Sequence, residues 1–204
     1  METEAILLVQ SQTGENTKRL SFLAPAHGHL TVFKKMGKSI SRKAQPDLFD
    51  TATLHIKTSK DGRYNHLSSY HPTSRRSQIA KKYEHFQAAC NLASFMNRNA
   101  EWIEDSTSTF RLLEKALDAF NESEVKPAVI LLKMYYSLLQ QEGYPVRQDW
   151  RVSLPAIDQQ TLAVLLHKPL VDLQGFTADS SGFLLGKLLT WSRQHTSFHF
   201  KDAD

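Results

Sequence analysis

Among its 204 residues the sequence has only one cysteine, Cys90. A single thiol excludes a disulfide within the chain and any zinc site built from several cysteines. Long apolar runs are also missing, and none approaches the roughly 18 residues that a membrane-spanning helix requires. The first apolar run follows two acids, Glu2 and Glu4, so the cationic start of a secretory signal is missing too. We therefore expect a cytoplasmic protein without a membrane partner.

The sequence also lacks the motifs of the common enzyme classes. It has no GxxxxGK[ST] loop for nucleotide phosphates, no GxSxG nucleophile elbow and no spaced acidic cluster for two-metal catalysis. His27 and His29 have no third metal ligand close by in sequence. His195 and His199 have the i, i+4 spacing of zinc ligands, but residue 196 is Thr where such enzymes carry their glutamate. We expect no catalytic residue, no metal and no cofactor, and hence no enzyme activity.

Charge is distributed unevenly along the chain. Residues 1–99 hold 15 Lys and Arg against 7 Asp and Glu, whereas residues 100–204 hold 10 against 14. This asymmetry favours an anionic partner for the first half. The most basic segment runs over residues 34–43, which contain five cations and no acid.

Apolar residues alternate with polar ones through most of the first seventy residues. Leu20 and Phe22 fall on one face of a predicted strand, and Arg19 and Ser21 on the other. The pattern predicts strands at 5–12, 18–24, 29–35, 51–57 and 63–70, separated by turns that contain glycine. Five short strands favour an OB-type barrel, a fold that commonly presents a basic, aromatic face to oligonucleotides.

From Ser77 onwards the apolar residues recur every three or four positions, which indicates amphipathic helices. The spacing predicts a helix over 77–97, a second one capped by Thr107 or Ser108, and a third from Pro127 to a stop at Gly143. Two more are predicted over 158–167 and after Ser180 or Ser181. The predicted fold is thus β then α: an OB-fold domain over 1–74 and an all-α domain over 75–204.

Two segments of the chain resemble the RecO family of bacterial recombination mediators. The stretch from Gly14 to Gly37 fits the pattern G-E-x-x-x-x-L-x-F-L-x-P-x-H-G-x-L followed by K-x-G. The second likeness combines T-F-R-L-L at 109–113 with L-L-Q-Q-E-G-Y-P at 138–145. Many RecO proteins carry a four-cysteine zinc finger after the Gly-Tyr pair. Residues 147–179 contain no cysteine, so the chain resembles a variant without that finger.

The resemblance implies a protein of DNA repair, the DNA damage response and homologous recombination. Such a protein binds and anneals single-stranded DNA, and helps to load recombinase onto DNA coated by single-strand-binding protein. The implied protein partners are RecR and the C-terminal tail of single-strand-binding protein. The alternative is a protein-only adaptor that keeps a RecO-like fold but has lost DNA binding.

Candidate DNA-binding residues are the cations around the predicted barrel and one ring beside a turn. They are Lys18, Arg19, Lys34, Lys35, Lys38, Arg42, Lys43, Tyr64, Arg75, Arg76, Lys81 and Lys82. An acidic tail with an apolar end needs an apolar floor and a cationic rim, which the helix from Pro127 provides. The candidate docking residues are Arg111, Ile130, Lys133, Met134 and Leu138. We expect Lys133 to be an exposed rim charge whose reversal leaves the fold intact.

Overall fold

The computed structural model describes residues 1–35, 45–173 and 178–200. It confirms the predicted fold class, because a closed five-stranded barrel precedes a set of helices. The chain divides into two compact units. The first consists of Met1–Arg76 with Met96–Phe110, and the second of Ser77–Phe95 with Arg111–Asp204.

The barrel is OB-like, with strand order β1-β2-β3-β5-β4 around the closed sheet. Its strands are β1 Glu2–Gln12, β2 Thr17–Ala24, β3 Gly28–Lys35, β4 Thr51–Thr58 and β5 Asn65–Ser74. Neighbouring strands are antiparallel except β3 and β5, which pair in parallel at Phe33 and His66. This parallel pair closes the barrel.

The predicted alternation correctly identifies the inner face of the barrel. Leu20, Phe22 and Val32 are all fully buried in its core, together with Leu54 of β4. Strand β1 does not alternate, because Ile6 and Leu8 are buried as well as their inward-facing neighbours. A strand covered on both faces reads as a continuous apolar run.

A buried polar cluster holds the segment that leads into β4. The Tyr70 hydroxyl donates to Asp50 Oδ2 at 2.8 Å. Phe49 has a positive φ of 69°, a conformation that non-glycine residues seldom adopt. Its backbone is fixed on both sides: its N–H donates to Leu7 O, and its carbonyl accepts from Arg76 Nη1.

Five longer helices occur among the described residues. They are α1 Tyr83–Asn99, α2 Ser106–Glu122, α3 Pro127–Gln141, α4 Ala156–His167 and α5 Ala178–His195. A 3₁₀ turn, Ile79–Lys81, precedes α1, so the predicted start at residue 77 was early. A π-helical turn, Val146–Trp150, lies between α3 and α4 and runs into a short helical segment over Arg151–Ser153.

The ends of α3 agree with the predictions from sequence, whereas the starts of α2 and α5 do not. Pro127 occupies the first turn of α3, and Gly143 beyond its end has a φ of +79°, both as predicted. Helix α2 begins before Thr107, and Asp105 accepts a hydrogen bond from the Ser108 N–H. Asp105 is thus the capping residue. Helix α5 starts at Ala178, so Ser180 and Ser181 lie within it.

Aromatic side chains form much of the core of the second unit. The Phe95 ring lies 5.0 Å from that of Tyr135 and 5.6 Å from that of Phe198, in edge-to-face contacts. His85 is buried, and its Nδ1 lies 2.9 Å from Phe120 O. In the part of the chain that the structure describes, no helix combines the length and apolar character needed to cross a membrane.

Candidate nucleic-acid interface

Two lysines face each other across neighbouring strands of the barrel. The β2–β3 ladder pairs Lys18 directly with Lys34. Burial lowers the pKa of Lys34, and the charge of Lys18 lowers it further. Like charges at one cross-strand position destabilise a sheet by roughly 0.2–1 kcal/mol. A bound anion would relieve this repulsion.

The strand geometry places this lysine pair at one end of the barrel interior. Side chains alternate along a strand, so Lys18 shares the inward side of β2 with Leu20, and Lys34 shares that of β3 with Val32. Lys34 Nζ lies 5.8 Å from the Tyr70 ring centroid. Lys18 Nζ donates to Gln10 Oε1 at 3.3 Å. The two ammonium groups are therefore held by the barrel itself.

The opposite side of the same two strands carries Arg19 and Phe33, and the ring of Phe33 contacts Tyr64 from the turn before β5. Phe33 and Tyr64 make an edge-to-face contact with ring centroids 5.6 Å apart. Arg19 is exposed and lies directly opposite Phe33 in the ladder. Tyr64 is 52% exposed. An exposed ring such as that of Tyr64 is suited to stacking against a nucleobase.

The turn that precedes β5 positions Tyr64. Its N–H donates to Ser59 Oγ at 3.0 Å, and its carbonyl accepts from the Ser59 N–H at 2.8 Å. Gly62 has a φ of +73° in this turn, which the predicted Asp-Gly signal requires. The exposed ring therefore projects from a hydrogen-bonded turn.

The basic segment after β3 is described only in part. Lys35 is the last residue of β3 and is exposed. Lys38, Arg42 and Lys43 lie outside the described residues.

Arg75 and Arg76 are neighbours with different environments. Arg75 Nη1 lies 3.4 Å from Asp50 Oδ2, and its side chain is 37% exposed. Arg76 is 4% exposed, and its Nη1 donates to Phe49 O at 2.6 Å and to Thr51 Oγ1 at 2.9 Å. Arg76 is therefore not part of an exposed DNA-binding surface: its buried guanidinium holds the segment that leads into β4.

Lys81 and Lys82 belong to the second unit. Lys81 is exposed at the end of the 3₁₀ turn. Lys82 Nζ lies 2.6 Å from Glu124 Oε1 and donates to Ser123 O at 3.0 Å. The hydrogen bond from Lys82 lowers the pKa of Glu124. This ion pair offsets the charge of Lys82, so Lys82 adds less to a basic surface than the sequence suggests.

The predicted docking residues come together only in part. Ile130, Lys133 and Met134 of α3 line a cavity of about 180 Å³ against Ala116 of α2. Leu138 is fully buried and is therefore a core residue rather than part of a groove floor. Arg111 is exposed but does not line the cavity.

A cation outside the predicted docking set lies at the rim of this cavity. Lys115 is exposed and lines it. It lies four residues after Arg111, one helical turn further along α2. That i, i+4 spacing is the signal that would have found it.

Lys133 is not the free surface charge that the sequence suggested. Its Nζ donates to Leu166 O at 3.1 Å and to Lys168 O at 2.7 Å. Burial lowers its pKa. Lys133 thus caps the carbonyl end of α4, and a carboxylate in its place would face those carbonyl oxygens. The structure therefore corrects the premise of an exposed rim charge, and we now expect Lys133→Glu to destabilise the fold.

Two of the histidines singled out in the sequence, His29 and His195, have protein neighbours in the structure. His29 Nε2 lies 3.0 Å from Asn97 Oδ1. His195 stacks on Trp191 with ring centroids 4.9 Å apart, and its Nδ1 lies 2.8 Å from Trp191 O. Within residues 1–35, 45–173 and 178–200, no three His, Cys, Asp or Glu side chains are grouped to hold a metal ion.

No protein-family model matches the chain, and no curated protein matches it by sequence.

Proposed function

We propose that this protein is a RecO-like mediator of DNA repair and homologous recombination that binds and anneals single-stranded DNA. The main support is the Lys18–Lys34 pair at the end of an OB-like barrel, together with the Phe33–Tyr64 ring pair, whose Phe33 directly precedes Lys34. Phosphates neutralise the lysines, and an exposed ring stacks on a base. Neither contact depends on the base sequence of the DNA, as an annealing protein requires.

In the proposed mechanism, annealing proceeds without covalent chemistry. Two complementary strands repel each other through their phosphates. Lys18, Lys34, Lys35 and Arg19 screen this repulsion, because each cation offsets backbone charge. Strands held by their phosphates keep the base-pairing edges free, so complementary bases pair.

The proposal extends to protein partners through the cavity between α2 and α3. Its floor includes Ile130 and Met134, and Lys115 supplies an exposed cation at the rim. An acidic tail with apolar terminal residues, such as that of single-strand-binding protein, fits this combination of an apolar floor and a cation. Docking there brings the protein to coated DNA, where recombinase loading takes place. RecR is proposed as the second partner from the family resemblance alone.

A binding titration tests the DNA-binding part of the proposal. Labelled single-stranded oligonucleotides are titrated at several salt concentrations with the parent protein and with a Lys18→Gln, Lys34→Gln, Lys35→Gln variant. Each lost phosphate contact flattens the slope of log affinity against log salt by roughly 0.7. The matched control is Lys57→Gln, which removes an exposed charge from β4. We expect the control to retain most of the parent slope.

The same titration separates the proposal from the adaptor alternative. An adaptor would show no salt-dependent DNA binding but would still bind the tail peptide. Equal slopes for the parent and the triple variant would contradict the proposed role of the barrel.

A further inference from the structure

A second cavity in the helical unit is lined by basic residues from three separate elements. It has a volume of about 340 Å³ and lies between α3, the π-helical turn and the end of α4. Lys133 comes from α3, Arg147 and Arg151 from the π-helical turn and the residue after it, and His167 from α4. No carboxylate from the described parts of the chain lines it.

This cavity is basic although the half of the chain that contains it is acidic overall. Residues 100–204 contain 10 Lys and Arg against 14 Asp and Glu. Three of these ten cations, Lys133, Arg147 and Arg151, line this one cavity. Placing like charges together without a counter-ion is unfavourable, and a bound anion offsets the repulsion.

The two arginines have guanidinium groups that are available for a ligand. Arg147 is exposed and Arg151 is half-buried, and neither has an ion pair or side-chain hydrogen bond within the described part of the chain. The Arg151 N–H donates to Val146 O, five residues back, as in a π-helix. This wider turn brings residues 147 and 151 to the same cavity. π-Helical turns are rare and are frequently found at functional sites.

We infer that this cavity is a binding site for a phosphate monoester. A phosphate monoester carries about −1.5 to −2 charge at neutral pH and three acceptor oxygens in a tetrahedral arrangement. Three cations that line one cavity can contact such a group together, whereas a carboxylate carries only a single negative charge. Arginine forks bind phosphate oxygens through paired N–H donors. Ser137 and Gln140 add polar side chains to the same wall.

The monoester can belong to a free nucleotide or to the phosphorylated end of a nucleic-acid strand. Both have the same chemistry at the cavity. The site lies wholly within the helical unit, so the inference does not depend on DNA binding by the barrel.

Calorimetric titration of the full chain tests the site with four probes: inorganic phosphate, a deoxynucleoside 5′-monophosphate, and one oligonucleotide with and without a 5′-phosphate. We expect saturable binding of the monophosphate. Arg147→Gln and Arg151→Gln should each weaken it by roughly tenfold or more, the loss of one or two charge-assisted hydrogen bonds. Arg147→Lys should restore only part of the affinity, because the charge remains but the paired donors do not. Arg98→Gln, which removes an exposed arginine outside the cavity, should leave it unchanged.

The probes also separate the two sources of the ligand. A 5′-phosphate that strengthens oligonucleotide binding only when Arg147 and Arg151 are present assigns the site to strand ends. If both oligonucleotides bind equally and the monophosphate binds only when Arg147 is present, the site is assigned to a free nucleotide. The inference is overturned if no phosphate probe binds saturably, or if both glutamine variants bind like the parent.

Discussion

Lys18 and Lys34 occupy directly opposite positions on β2 and β3, where the barrel brings two ammonium groups together. Burial and this proximity both lower the pKa of Lys34. Repulsion of this kind destabilises the barrel, and in the proposed function a phosphate offsets it. The proposed function therefore predicts that a change at this pair alters both stability and DNA affinity.

Lys34→Met should change stability and DNA affinity in opposite directions. The substitution keeps an unbranched apolar stem but removes one charge from the pair, so the barrel should gain roughly 0.2–1 kcal/mol in unfolding free energy. Binding of single-stranded DNA should weaken, because a phosphate contact is lost. Urea unfolding and a fluorescence titration measure the two effects. A variant that binds DNA as tightly as the parent would argue against a phosphate contact at Lys34.

Tyr64→Ala should weaken binding of single-stranded DNA by about 1–3 kcal/mol, the usual effect of losing one stacked base. Tyr64→Phe should bind like the parent, since the ring remains. Because Tyr64 is 52% exposed, neither change should greatly alter the melting temperature. Equal affinities of the alanine variant and the parent would show that the ring does not stack on a base.

Tyr70→Phe should destabilise the fold by about 1–3 kcal/mol, because a buried carboxyl loses its hydroxyl donor. Tyr70 is 5% exposed, and its hydroxyl lies 2.8 Å from Asp50 Oδ2. Tyr64→Phe is the matched control, with an exposed ring. Denaturant unfolding of both variants measures the difference. If Tyr70→Phe were as stable as the parent, the Tyr70 hydroxyl would make no net contribution to the free energy of unfolding.

The stability of the barrel should depend on the titration of Asp50. Burial raises the pKa of this carboxyl above its ordinary 3.8, although the Tyr70 hydroxyl and Arg75 oppose the shift. A raised folded-state pKa means that the folded chain holds the proton more tightly than the unfolded chain. The contribution of Asp50 to stability is therefore greatest at low pH and falls as pH rises from the ordinary value through the raised one.

Asp50→Asn removes this titration, and comparison with the parent cancels the contribution of other carboxyls such as Asp47. We expect the parent to lose stability relative to the variant over that pH window. Unfolding free energies measured from about pH 3 to pH 7 test this. A constant difference between the two proteins across the series would contradict it.

Lys115→Glu should weaken capture of the acidic tail of single-strand-binding protein by roughly tenfold without unfolding the protein. Lys115 is exposed at the rim of the α2–α3 cavity, so its reversal should cost within about 0.5 kcal/mol of stability. Lys133→Glu should instead lower stability, because it loses two carbonyl partners. Peptide binding by Lys115→Glu at the parent affinity would place the docking site elsewhere.

The sequence was sufficient to predict the features that depend on short-range rules. Alternation along the chain identified the inward face of β2 and β3, because each strand buries one side. Pro127 and Gly143 marked the ends of α3, because proline fits a first helical turn and glycine adopts positive φ. The order of barrel and helices followed from the change of period near residue 77.

The environment of each charge could not be predicted in this way. Arg75 and Arg76 are adjacent in sequence, yet only Arg76 is buried against Phe49 and Thr51. The sequence predicted Lys133 to be an exposed cation, but in the structure it donates to two carbonyl oxygens at the end of α4. Burial depends on which distant segments pack together, and local spacing carries no information about that.

The sequence by itself determined a basic OB-like half and an acidic helical half, since periodicity and charge counts are properties of the chain alone. Only the tertiary structure decided which cations act together. It paired Lys18 with Lys34 through strand register, and it gathered Lys133, Arg147 and Arg151 around one cavity from two elements separated along the chain. The physical reason is that electrostatic interaction depends on distance in space, which is set by packing of the whole unit.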